Sequence, residues 1–119
     1  MADSVRRELT ISGSPAEVWA ALTDPGQLSS WFGADVEIDA RPGGPVRFRW
    51  PDGIERRGLV ETVDPPRRLV FRWRELRALG ASFVPGGATT VAFDLEPTED
   101  GGTGLVVTES VGLFAEAAP

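Results

Sequence analysis

The chain has 119 residues, a normal length for one domain, and its 12 basic and 18 acidic residues give a net charge of −6. Nucleic-acid binders carry a basic footprint that this chain lacks, so DNA, RNA and anionic membrane surfaces are not expected as partners. Because Cys, His, Tyr and Lys are absent, the sequence excludes thiol nucleophiles, Ser-His-Asp triads, Schiff-base lysines, disulfides and structural zinc sites.

The sequence shows neither a membrane-spanning segment nor a signal peptide. No stretch approaches the roughly 20 apolar residues of a membrane span. Residues 1–8 are charged and lack the apolar core of a signal peptide. We therefore expect a cytoplasmic protein with one domain over residues 1–119, no cofactor and no metal site.

The first third of the chain predicts one strand and two short helices. Alternating apolar residues predict a strand over Val5–Ser12. A helix over Pro15–Thr23 follows, because Ser14 and Glu17 have capping-box spacing and proline suits the first helical position. After a break at Asp24-Pro25-Gly26, a second helix is predicted over Gln27–Phe32, ended by Gly33.

From residue 34 onward the hydrophobic period changes to two. Six further strands are predicted: one with Val36 and Ile38 as its apolar positions, then Val46–Trp50, Ile54–Val63, Leu69–Arg74, Thr89–Glu96 and Gly104–Ser110. Glu75–Gly87 is less regular, and Pro85-Gly86-Gly87 indicates a loop. The fold class is therefore α+β, with a curved antiparallel sheet of about seven strands and helices on its apolar face.

Five stretches of this sequence match the pattern of a known family. They are Ser14–Pro25 (SPAEVWAALTDP), Leu28–Gly33 (LSSWFG), Gly58–Trp73, Thr90–Val91 and Leu105–Ser110 (LVVTES). In this order and spacing they resemble START-like (SRPBCC) domains, and in particular the heat-shock ATPase activator-like branch. The resemblance covers most of residues 5–112.

The resemblance implies a helix-grip fold, in which a seven-stranded sheet wraps around a long C-terminal helix and leaves an apolar cavity between them. Members bind lipids, polyketides or hormones; some are cyclases or hydrolases, and some act on a chaperone. After Ser110 only residues 111–119 follow, so the C-terminal helix is expected to be short or missing. A large apolar face would then need covering, which predicts a homo-oligomer.

Large apolar side chains at alternating positions are the candidates for the cavity wall. The candidate ligand-cavity residues are Trp19, Trp31, Phe48, Trp50, Phe71, Trp73, Phe93, Leu105, Val107 and Glu109, with Val60, Val91 and Leu95 as smaller neighbours. The competing interpretation is ordinary core packing, which aromatic residues favour in any globular domain.

Charged residues allow two interpretations on each face of the sheet. Glu109 shares a face with Leu105 and Val107, so it is a polar anchor or general acid/base in the cavity, or it reaches solvent or pairs with an arginine. Glu75 invites the same two interpretations. The outer arginines form cross-strand ion pairs or a docking surface for an acidic partner. The arginines concerned are Arg47, Arg49, Arg72 and Arg74. The strand with Asp35, Glu37 and Asp39 is expected to neighbour that of Arg47 and Arg49.

These observations support three functional hypotheses. The first is a binding module that holds an apolar or aromatic small molecule between sheet and helices, with no established catalysis. The second is a protein-interaction module of the heat-shock ATPase activator type, which uses the sheet or Arg77–Gly87. The third is a cyclase-like enzyme of polyketide or lipid-like substrates that works by shaping a reactive chain.

Overall fold

A computed structural model describes the backbone of residues 4–79 and 82–111, and the side chains of residues 4–76 and 88–110. The elements are β1 (Ser4–Ile11), α1 (Pro15–Leu22), α2 (Pro25–Phe32), β2 (Asp35–Ile38), β3 (Pro45–Arg49), β4 (Glu55–Asp64), β5 (Arg68–Leu79), β6 (Ser82–Pro97) and β7 (Thr103–Val111). The expectation of a short or missing C-terminal helix concerns residues 112–119, which lie outside the described range.

All seven strands belong to one antiparallel sheet in the order β1-β7-β6-β5-β4-β3-β2. Strands β2 to β7 follow one another as a meander, while β1 pairs with β7, so β1 and β2 form the two edges. This arrangement confirms the predicted α+β fold with about seven strands. Because β1 is an edge strand, no further strand of the sheet covers its outer side.

Local capping signals set the helix bounds. The Ser14 hydroxyl accepts from the Glu17 backbone N–H at 3.2 Å, and the Glu17 carboxylate accepts from the Ser14 N–H at 2.8 Å, which confirms the predicted capping box. The predicted start of α2 at Gln27 was late, because Asp24 caps the helix and Pro25 occupies its first position. Gly33 ends α2 with φ 64°, as predicted. Neither helix is long and apolar enough to cross a bilayer, within the described residues.

The prediction of an irregular segment over Glu75–Gly87 was wrong. Strand β5 continues to Leu79 and β6 begins at Ser82, so the two form one long hairpin arm. Among the described pairs of this ladder, the register shifts between Arg74 and Leu76. Cross-strand bonds are made by backbone groups, which glycine retains, so turn-forming residues can lie inside a strand. The interaction surface predicted at Arg77–Gly87 has side chains outside the described set.

The apolar core lies between the two helices and the inner face of the sheet, defined here as the face that α1 and α2 cover. Val18 and Leu22 of α1 and Leu28 of α2 are buried. On the sheet side the buried apolar residues include Val36, Val46, Phe48, Val60, Leu69, Phe71, Trp73, Val91, Phe93, Leu95 and Leu105. Their alternation along each strand is the pattern that the sequence predicted.

The outer face of the sheet carries ion pairs between strands. The predicted cross-strand pairs are present: Arg49 with Asp35 at 3.0 Å and Arg47 with Glu37 at 3.6 Å. Asp39 does not join them, because it lies beyond β2 and pairs with Arg41 at 2.6 Å. Glu55, which is nearly fully buried, is also paired with Arg47, at 3.2 Å.

Candidate ligand-binding groove

A row of aromatic rings crosses the inner face from β3 to β6. Phe48 contacts Trp73 edge to face, with ring centroids 4.9 Å apart, and Phe71 contacts Trp73 at 5.0 Å. Phe71 also lies 5.9 Å from Phe93. These distances are those of favourable aromatic pairs. The rings therefore interlock as a packed core and leave little open space among themselves.

Beside this core, an open groove runs between the sheet edge and α2. It has a volume of about 490 Å³ and is lined by Val5, Arg7 and Leu9 of β1, Trp31 and Phe32 of α2, Phe93 of β6, and Val107 and Glu109 of β7. Four of its apolar side chains remain exposed: Val5 by 63%, Leu9 by 42%, Trp31 by 46% and Phe32 by 37%. Water therefore contacts this apolar surface, and a ligand that covered it would lower the free energy of the system.

The structure brings four of the ten predicted cavity residues together at this groove: Trp31, Phe93, Val107 and Glu109. The remaining six belong to the core: Phe48, Phe71, Trp73 and Leu105 are buried in it, and Trp19 and Trp50 are half-buried against it. The smaller neighbours Val60, Val91 and Leu95 are buried there too. Alternation assigns a side chain to a face, but the depth at which it lies under the helices depends on its place across the sheet.

A second cavity opens where β1 ends against the helices. It measures about 590 Å³ and is lined by Ile11, Ser12, Gly13, Glu17, Val18, Ala21, Gln27, Ser30 and Trp31. Trp31 borders both cavities. The Glu17 carboxylate is already engaged in the capping box, and Trp31 is the one exposed large apolar side chain among the described residues of this lining. The groove with four exposed apolar side chains is the stronger candidate for an apolar ligand.

A polar cluster adjoins the groove on the inner face, and we call it the Arg56 cluster: Arg56, Trp73, Glu75, Thr89 and Glu109. Arg56 lies 3.0 Å from the Glu109 carboxylate and 3.3 Å from that of Glu75. The Trp73 indole N–H donates to the Thr89 hydroxyl at 2.8 Å, and that hydroxyl donates to Glu109 at 2.7 Å. Three donors thus converge on Glu109 Oε2, because Trp73 also donates to it at 3.3 Å.

Aromatic rings support the cation of this cluster. The Arg56 guanidinium carbon lies 5.0 Å from the centre of the Trp73 ring and 5.8 Å from that of Trp50, within cation–π range. Trp50 is itself held by its indole N–H, which donates to the Phe32 carbonyl at 3.1 Å. The guanidinium of Arg56 is therefore held by two carboxylates and two indole rings, and Glu109 connects the cluster to the groove wall.

This geometry answers the question that the sequence left open for Glu109. The carboxylate pairs with an arginine, as one of the two interpretations held, and it also lines the groove. Glu75 pairs with the same arginine. Arg56 was not predicted as a site residue, although β4 holds a signal: Arg56 stands four residues before the buried Val60 and so shares its face.

Four members of the groove wall were not predicted as site residues: Val5, Arg7, Leu9 and Phe32. Alternation with Val5 and Leu9 places Arg7 on the inner face, and register opposite Val107 agrees with that placement. Phe32 lies at the end of α2, and its place in the groove wall depends on the direction in which the last turn of that helix faces the sheet.

Comparisons with known proteins agree with this fold. Residues 12–118 match the family described as Activator of Hsp90 ATPase homolog 1-like protein. Protein MLL2253 from Mesorhizobium loti is 26% identical, has a TM-score of 0.76, and aligns over 92% of this chain and 76% of its own. CalU16 from Micromonospora echinospora is 27% identical with a TM-score of 0.64, over 91% of this chain and 60% of its own.

DynU16, a protein of the dynemicin biosynthetic locus, is 30% identical with a TM-score of 0.76. The match covers 93% of this chain but only 38% of DynU16. No curated protein matches the sequence. Since the family match spans nearly the whole chain and the sheet and helices superimpose on these structures, the chain belongs to the Activator of Hsp90 ATPase homolog 1-like family and has the START-like fold.

Proposed function

We propose that this chain is a binding module that holds an apolar or aromatic small molecule in the groove between β1, β7 and α2. The observation that carries the proposal is the set of four exposed apolar side chains around one open groove: Val5, Leu9, Trp31 and Phe32. Its volume of about 490 Å³ falls within the range of small-molecule sites.

Two further observations support the proposal. Members of the family bind hydrophobic ligands. The relative DynU16 comes from a biosynthetic locus, where small organic molecules are the substrates and products. The Arg56 cluster would supply polar contacts at one end of the groove through Glu109, and such a combination of apolar walls with few polar groups orients a ligand.

The test uses a neutral apolar probe, N-phenyl-1-naphthylamine, whose fluorescence rises when it leaves water. We expect saturable binding to the wild-type chain at one site. Trp31→Ala should weaken binding about ten-fold, because an aromatic anchor at the centre of a site contributes about 1–2 kcal/mol. The matched control is Leu59→Ala, since Leu59 is 56% exposed but lies on β4 outside the groove.

Two results would contradict the proposal. One is a linear, non-saturating response of the wild-type chain to the probe. The other is equal loss of affinity in Trp31→Ala and Leu59→Ala, which would indicate that the probe adheres to any exposed apolar side chain. Thermal unfolding of both variants checks that they remain folded at the temperature of the titration.

The exposed side chains of β1 favour a second candidate, in which a second copy of the chain covers the groove and forms a homo-oligomer. Val5 and Leu9 lie on an edge strand, and exposed apolar edges promote association of strands. Light scattering after gel filtration should then give a dimer or larger, and Leu9→Asp should convert it to a monomer. A wild-type monomer over the accessible concentration range would exclude this candidate and leave the ligand proposal standing.

A further inference from the structure

One charged side chain stands among the apolar members of the groove wall. Arg7 lies between Val5 and Leu9 on β1, faces the groove with them, and pairs in register with Val107. Among the described residues its guanidinium makes no ion pair and no side-chain hydrogen bond. The preceding residue, Arg6, points to the opposite face and is paired with Glu8.

The acidic neighbour of Arg7 in the groove is already committed. Glu109 also lines the groove, but its Oε2 atom accepts from Arg56 at 3.0 Å and from Thr89 at 2.7 Å. Among the side chains that the structure describes, the inner face of the sheet therefore holds two arginines and two carboxylates, and the ion pairs among them leave Arg7 as the unpaired charge. An arginine beside apolar surface favours a charged partner, because charge-assisted hydrogen bonds are shorter and stronger than neutral ones.

The partner that fits this position carries one negative charge. A guanidinium presents a planar fork of donors that matches a carboxylate with two parallel hydrogen bonds. The net charge of the chain is −6, and Glu109 stands on the same wall, so a doubly charged anion would be repelled more strongly than a singly charged one. A carboxylate with an apolar tail would pair with the Arg7 guanidinium and cover the exposed apolar side chains around it.

We propose that the groove binds an amphiphilic monocarboxylate, with Arg7 holding the carboxylate and the exposed apolar side chains covering the tail. This inference rests on the proposed function and adds the ligand's polar group to it. Arg7 is then the residue that determines specificity, while Trp31 and its neighbours determine affinity for the tail. The two contributions are separable, because one depends on the head group and the other does not.

The test is calorimetric titration with three ligands that share one tail: octanoate, octanol and octyl phosphate. We expect wild-type protein to bind octanoate about ten-fold or more tightly than octanol, which is the range of one charge-assisted interaction. Octyl phosphate should bind less tightly than octanoate. Arg7→Gln should abolish the preference for octanoate over octanol. Arg7→Lys should keep part of the preference, and the matched control Arg6→Gln should keep all of it.

The outcomes separate this inference from the proposed function. If octanol and octanoate both fail to bind the wild-type chain, the proposed function fails. If both bind equally, or if Arg7→Gln keeps the preference, the groove binds tails but Arg7 has no role in selecting the head group, and the inference is overturned. If octyl phosphate binds most tightly, the site selects phosphate, and the carboxylate assignment is wrong. Loss of the octanoate preference in Arg7→Gln alone supports it.

Discussion

Thr89 offers the sharpest test of the Arg56 cluster, because one hydroxyl links two members of it. It accepts from the Trp73 indole N–H at 2.8 Å and donates to Glu109 at 2.7 Å, and its residue is only 9% exposed. Replacement by valine keeps the branched shape that suits a strand and removes both hydrogen bonds. Thr89→Val therefore reports on the hydrogen bonds more than on packing.

The expected loss follows from the two bonds. A neutral hydrogen bond such as that of Trp73 contributes about 1 kcal/mol, and one to a charged group about 1.5–3 kcal/mol. Glu109 is 34% exposed, so the lower figure applies to its bond with Thr89. The added methyl group returns somewhat less than 1 kcal/mol. We expect a net loss of about 2 kcal/mol, which for a chain of this length lowers Tm by roughly 8 °C.

The assay is thermal and urea unfolding followed by circular dichroism. Thr90→Val is the matched control, since Thr90 follows directly in β6 and its side chain points to the opposite face. In a Glu109→Gln background the cost of Thr89→Val should fall to about 1 kcal/mol, because the charged acceptor is gone. Equal stability of Thr89→Val and wild type, or equal losses at positions 89 and 90, would refute the reasoning.

Two further predictions concern other parts of the fold. Gly58→Ala should lower the free energy of unfolding by at least about 3 kcal/mol, because the new Cβ would lie 1.7 Å from the Arg72 carbonyl oxygen. Gly26→Ala is the control, since the nearest atom to its Cβ would be 3.7 Å away, and it should be neutral or stabilising by up to about 1 kcal/mol. Urea unfolding measures both changes. The Thr98 hydroxyl and the Gly102 N–H hold the pKa of Asp100 below its usual range. Thr98→Val should raise that pKa, as measured by NMR titration of the carboxyl carbon.

The pH dependence has a definite sign. A carboxyl whose pKa is lowered by folding contributes stability above its unfolded pKa, and that contribution is lost as the pH falls through the folded pKa. Thr98→Val should therefore flatten the acid side of the stability profile. An unchanged pKa for Asp100 would contradict this account, and a stable Gly58→Ala protein would contradict the close approach of β4 and β5 at that point.

Local chemistry made much of the fold predictable. The capping box at Ser14 and Glu17, the left-handed Gly33 and the alternation in β3 each act within a few residues, so the sequence carries the whole signal. Turn spacing predicts the antiparallel meander from β2 to β7, but it does not predict that β1 pairs with β7. The same local rule misplaced residues 75–87, because backbone pairing between two long strands overrode the turn-forming residues there.

By itself, the sequence determined which face of the sheet is apolar and which residues share it. Only the tertiary structure decided that Phe48 and Phe71 are core while Trp31 and Phe32 border an open groove, since the depth of a side chain depends on how the helices lie across the sheet. It also decided that Arg56 reaches Glu109, which is 53 residues away in the chain. The order of the strands in the sheet brings these two side chains together, and no local sequence pattern encodes the distance between them.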